Sequence, residues 1–188
     1  MFILEADNRI VEDSSIFSYL SDNFSSGTSS LEVVSSSGFS ADDYLILENF
    51  GEEKAEIVQI GSISNNTITL KSSTSFSHPE TTKIAKILYN QVKFYRTEDE
   101  TFSTDTLLGT VDITPQNYYT SFEDTTYDSG YGWFIFYNST TDTKSAPSNS
   151  IPYTDFAPNS AQKIIERFFN SLNNKEANLI SFDEAFSY

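Results

Sequence analysis

The one histidine in the chain, His78, stands in Phe76-Ser-His-Pro79. An imidazole is the side chain best suited to moving protons near neutral pH. Ahead of a proline in a turn-forming stretch it reads as a polar turn residue rather than a general base. Carboxylates come in runs at Asp42-Asp43, Glu52-Glu53, Glu98-Asp99-Glu100 and Asp183-Glu184. Glycoside hydrolysis needs two carboxyl groups facing each other across a cleft. These are sequence neighbours in polar loops, and they read as solvated charge. Acidic loops also offer oxygen ligands to calcium, but no Asp-X-Asp-X-Asp-Gly run is present and no cofactor or metal is assigned. There is no cysteine, no Gly-X-Ser-X-Gly elbow and no glycine-rich phosphate loop. The expectation is a protein without catalytic residues, not an enzyme.

The bulk properties narrow the partners. Eleven basic side chains stand against twenty-seven acidic ones in 188 residues, a formal charge of −16. Such a surface repels phosphate backbones and anionic lipid, so neither nucleic acid nor membrane is expected as a partner. Sixteen Phe and eleven Tyr against one Trp give the composition a β-rich character and supply large burial energies. Met1-Phe-Ile-Leu-Glu5 is too short and too acidic for a signal peptide, which points to folding in a cytoplasm.

Residues 1–25 read as an extended arm or as a short helix, with Asp13 as a cap and apolar residues at 16, 17 and 20. From Leu31 the period becomes two. Strands are expected at Leu31–Val34, at Tyr44–Leu47 (apolar throughout, hence buried on both faces), at Ala55–Ile60, at Thr67–Leu70 and at Thr81–Leu88. Asn65-Asn66 predicts a tight hairpin, because asparagine tolerates positive φ. A second β block follows at Gln91–Arg96, Leu107–Val111, Tyr119–Asp124 and the aromatic run Gly130-Tyr-Gly-Trp-Phe-Ile-Phe-Tyr-Asn138. In the fibronectin type III strand that this run resembles, core residues share the parity of the terminal Asn, which implies Phe134 and Phe136 for the core and turns Trp133, Ile135 and Tyr137 the other way. Either the register differs or both faces of this strand are covered.

Two stretches offer contact surfaces. Lys83, Lys86, Lys93 and Arg96 fall within 83–96 with no acidic residue among them. They read either as lysines blunting the edge of a strand pair or as a basic stripe for the acidic face of a neighbouring copy. After Pro158, the apolar residues Ala161, Ile164, Ile165, Phe168, Phe169 and Leu172 follow a helical stripe at every step. This helix packs on its own sheet or docks on another subunit.

Val92-Lys-Phe-Tyr-Arg96, Leu108-Gly-Thr-Val111, Ser121–Thr125, Tyr131–Asn138 and Ser145-Ala-Pro-Ser-Asn149 resemble the later strands of a fibronectin type III domain. The family's first strands are not recognisable, and the resemblance asks Thr81–Leu88 to stand in for them. The earlier block, from Phe39–Leu47 through Glu53–Val58 and Asn66–Leu70 to His78 and Thr81–Ile84, resembles small β modules of tailed-bacteriophage virion proteins. Together these imply a mostly β chain: an arm or short helix over 1–25, a small β-barrel or sheet module over 26–90, an immunoglobulin/fibronectin III-like β-sandwich over 91–153, and a C-terminal amphipathic helix over 154–188. The function implied is that of a non-enzymatic structural component of a bacteriophage tail, neck or head–tail connector. Its partners would be other copies of itself and other virion proteins, and its location the virion. The alternative is an appendage module that binds carbohydrate or protein, with an exposed Trp133 and several tyrosines stacking on sugar rings.

Overall fold

The computed structural model describes residues 2–125 and 129–153. They form strands β1 (Phe2–Asp7), β2 (Glu12–Tyr19), β3 (Ser30–Glu32), β4 (Tyr44–Leu47), β5 (Glu56–Ser64), β6 (Thr67–Leu70) and β7 (Lys83–Ile87). The second half adds β8 (Gln91–Thr97), β9 (Leu107–Asp112), β10 (Tyr119–Asp124), β11 (Gly130–Asn138), β12 (Thr143–Lys144) and β13 (Ile151–Tyr153). Among the described residues no helix is long and apolar enough to cross a membrane.

The first sheet runs β2-β7-β4-β5-β6-β3. Its two ends meet, because Leu20 pairs with Val33 beyond β2 and β3. On either side of that pair Ser21 N–H donates to Glu32 O and Val34 N–H to Tyr19 O, both at 2.9 Å. The sheet is therefore closed into a small barrel, which removes its edges. Strand alternation fills the interior with Leu45 and Leu47 of β4, Val58 and Ile60 of β5, Ile68 and Leu70 of β6 and Ile84 of β7. The β5–β6 hairpin turns at Asn65, where φ is +52°.

The second half is a β-sandwich. One layer has the order β12-β11-β8-β9, with β13 also paired to β11, and the other holds β1 and β10 alone. Two glycines let the layers approach. A Cβ on Gly132 would run into the Leu4 side chain of β1, and one on Gly109 into the Phe122 ring of β10. Outward residues of the barrel complete the same core: Ile46, Ala85 and Ile87 pack with Leu4, Ala6, Val92, Phe94 and Phe136. Strand β4 is thus buried on both faces, as its unbroken apolar run predicts.

Several expectations need correction. Residues 2–25 are mainly strand rather than an arm: β1 joins the sandwich and β2 joins the barrel, and the helical part is one 3-10 turn at Asn8–Val11, not the expected helix after Asp13. Thr81–Leu88 does not supply the missing strand of the sandwich, since β7 sits inside the barrel sheet and β1 pairs with β10 instead. The barrel is therefore inserted between β1 and β8. The boundary placed at residues 90 and 91 separates two sheets but not two compact units, because one core spans both. For β11 both faces are covered: Phe134 and Phe136 face the shared core, while Trp133 and Ile135 pack with Tyr95 and Phe102. The C-terminal helix and its residues Ile164, Ile165, Phe168, Phe169 and Leu172 lie outside the described residues.

Candidate functional site

His78 is where structure and sequence part most sharply. It is 1% exposed, and each of its ring nitrogens meets a carboxylate. Nδ1 lies 3.1 Å from Glu48 Oε1, and Nε2 lies 3.1 Å from Glu56 Oε1. The three side chains come from separate places in the barrel. Glu48 follows β4 in the left-handed region, at φ +69°, a costly conformation for a residue with a side chain. Glu56 opens β5, and His78 lies in the connection between β6 and β7. The backbone of His78 is fixed by two bonds with Phe24, each 2.8 Å, one in each direction.

Glu56 is more than a partner for the ring. Ser75 N–H donates to its Oε2 at 2.6 Å and Phe76 N–H to its Oε1 at 2.9 Å. One carboxylate thus fixes the turn that presents His78, and the bonds it makes offset the cost of burying it. A neutral imidazole has a single N–H. Two facing carboxylates therefore call for one further proton, held on the second ring nitrogen or on a carboxyl group. The arrangement has the groups of an acid–base site but no access: its histidine is sealed, and both ring nitrogens are engaged. Among the described residues no group of His, Asp and Glu side chains is arranged to hold a metal ion.

A cleft of about 370 Å³ borders Glu56 and is lined by Tyr44, Ser75, Asn90, Asp112 and Gln116 as well. Its polar groups are already engaged within the fold. Gln116 Nε2 donates to Ala55 O at 2.7 Å, Gln91 Nε2 donates to Asp112 Oδ1 at 2.8 Å, and the Tyr44 hydroxyl meets Thr140 Oγ1 at 3.0 Å. The cleft is a seam between barrel and sandwich.

The residues singled out as contact candidates are distributed through the fold. Lys83 and Lys86 lie on β7, which is flanked by β2 and β4 and is not an edge. Lys83 pairs with Glu12, and Lys86 Nζ is 2.8 Å from Asp43 Oδ1. Their acidic partners are distant in sequence, so 83–96 alone looks purely basic. Lys93 Nζ sits 3.4 Å from the centre of the Tyr137 ring, a cation–π contact across β8 and β11. Arg96 Nε donates to Ser129 O at 3.2 Å. Trp133 is 8% exposed. Its indole N–H donates to Thr97 Oγ1 at 2.8 Å, and the Phe102 ring packs edge-on at 5.8 Å. The ring is not available for stacking on a sugar.

Among the described residues the carboxylate runs are loop charge, and Asp183-Glu184 lies outside them. Asp42 Oδ1 pairs with Lys71 at 2.6 Å, and Glu52 accepts from Asn49 at 2.7 Å. Sequence reading passed over Glu48 and Glu56 as site residues, and it had no local signal to use. They lie 30 and 22 positions from His78.

The chain matches no protein-family model, no curated protein and no solved structure.

Proposed function

We propose that the chain is a non-enzymatic structural component of a bacteriophage virion, in the tail, neck or head–tail connector, working through protein–protein interfaces in a symmetric assembly. The observation that carries the non-enzymatic part is the His78 cluster. The one imidazole is sealed in the barrel, with both ring nitrogens engaged by Glu48 and Glu56, and Glu56 is spent on fixing the 75–78 turn. Catalysis needs such groups within reach of a substrate. The virion part rests on the resemblance of the barrel block and on an acidic chain of sandwich and barrel, and it is offered as a reading of those features.

Since Lys83 and Lys86 have partners within the barrel, the assembly contact we assign is the apolar stripe Ile164, Ile165, Phe168, Phe169 and Leu172. Left in water, so many large apolar side chains would make an adhesive patch. The test is the light-scattering mass of the full chain from micromolar to about a hundred times higher concentration. A discrete closed oligomer that falls to monomer in the Phe168→Asp, Phe169→Asp double variant is the expected result. A strict monomer at every concentration would remove self-assembly from the reading. The sugar-binding alternative loses its tryptophan, because Trp133 is buried.

A further inference from the structure

The two-stranded layer of the sandwich carries an open edge on β1. Asn8 N–H donates to Tyr118 O at 2.8 Å, which makes that facing pair a hydrogen-bonded one. Antiparallel ladders alternate, so the pairs Ala6–Thr120, Leu4–Phe122 and Phe2–Asp124 bond to β10 as well. The N–H and C=O groups of Ile3, Glu5 and Asp7 therefore point away from β10. Among the described residues no strand lies on that side. The register from Phe2 to Asp7 is unbroken, with no bulge, and the strand contains no lysine and no proline. Those are the usual devices by which edges refuse a foreign strand. The edge at β13, by contrast, carries Pro152.

We propose that β1 is a docking edge that accepts an extended segment of another protein as a third strand, with Lys or Arg at alternate positions. Backbone bonding supplies affinity in such additions, and alternate side chains supply selectivity. The outer face beside the edge offers Ile3, 49% exposed, together with Glu5 on β1 and the exposed Glu123 on β10. A second copy of this chain is refused by its own charge. The antiparallel alignment that matches Ile3, Glu5 and Asp7 with the same three residues sets Glu5 opposite Glu5, and like charges directly opposite are destabilising. A formal charge of −16 on each copy adds to that repulsion. The inference does not depend on the virion reading, because any partner with a basic extended segment meets its terms.

Amide hydrogen exchange on the full chain tests it, alone, with a short peptide alternating Lys and Val, and with one alternating Glu and Val. In the free chain Leu4 and Ala6 are expected to be protected, while Ile3, Glu5 and Asp7 exchange quickly. The Lys–Val peptide should slow those three amides about tenfold and the Glu–Val peptide should leave them unchanged. Glu5→Pro removes an N–H that bonds nothing among the described residues and sits where edge strands tolerate proline. That variant should keep its unfolding midpoint and lose the response. Protection of all six amides in the free chain would overturn the proposal. So would an equal effect of both peptides, no effect of the Lys–Val peptide, or a Glu5→Pro chain that either fails to fold or still responds.

Discussion

Barrel and sandwich are both built from short antiparallel strands, yet they treat their edges and their buried polar groups in opposite ways. The barrel closes its sheet through Leu20 and Val33 and holds a cluster of ionisable groups, His78 with Glu48 and Glu56, in its wall. The sandwich leaves β1 open and buries mainly neutral polar groups. Asn8 donates to Asn117 O at 2.9 Å and accepts from the Thr120 hydroxyl at 2.7 Å, and Trp133 is satisfied by Thr97 at 2.8 Å. Closure and buried charge go together for a physical reason. A charged cluster is stable only where every partner is held, and a closed sheet holds its loops in fixed relation.

The sharpest way to break this comparison is His78→Ala. It strands the buried Glu56 carboxylate and the partly buried Glu48 carboxylate and should cost ~3–5 kcal/mol in urea unfolding, the range for removing one partner of a buried pair. A loss near that of an exposed ion pair would mean that water reaches the cluster. A smaller effect is expected in the sandwich from Gly132→Ala. The new Cβ meets Leu4 at the closest approach of the two layers, and overpacking of this kind costs about 1–3 kcal/mol. An unchanged midpoint would show that the layers have slack.

The smallest effect is confined to alkaline pH. Tyr153 donates to Asp124 Oδ2 at 3.0 Å, and burial followed by that bond pushes its phenol well above the ordinary value of 10.0. The folded form keeps the proton where the unfolded form loses it. The Tyr153 contribution is therefore intact below pH 10.0 and is lost as pH rises above it toward the folded value. Tyr153→Phe should be less stable than the parent at neutral pH, and its stability should fall less steeply above pH 10.0. Parallel slopes in a pH series of urea midpoints would contradict this.

How far the fold was legible depended on whether the signal was local. Tyr44–Leu47 is apolar at every position, so burial on both faces could be read directly, and Asn65-Asn66 announced its hairpin. For β11 the sequence leaves two readings open, a shifted register or cover on both faces, and the packing of Trp133 and Ile135 with Tyr95 decides for the second. Glu12–Tyr19 has four polar residues first and apolar ones only at 16, 17 and 19, so neither period is sustained. Its strand state comes from pairing with β7, some seventy residues on. The strand that completes the sandwich was missed for a similar reason. β1 pairs with β10 across more than a hundred residues, and no local pattern encodes that. The lysines of β7 looked unopposed because Glu12 and Asp43 come from other strands and turns. His78 was read as a turn residue from Pro79, and its burial follows from two glutamates that only the closed barrel brings to it.

The central claim is that barrel and sandwich, different as they are, stand on one core through Ile46, Ala85 and Ile87 and form one cooperative unit. The chain carries its own two reporters. Its single tryptophan, Trp133, lies in the sandwich and its single histidine in the barrel. Trp133 fluorescence and the His78 ring resonances, followed through the same urea series, should give coincident transitions with one midpoint and one slope. Two separated midpoints would mean that the shared core does not couple the two halves, and the account of a single unit would be wrong.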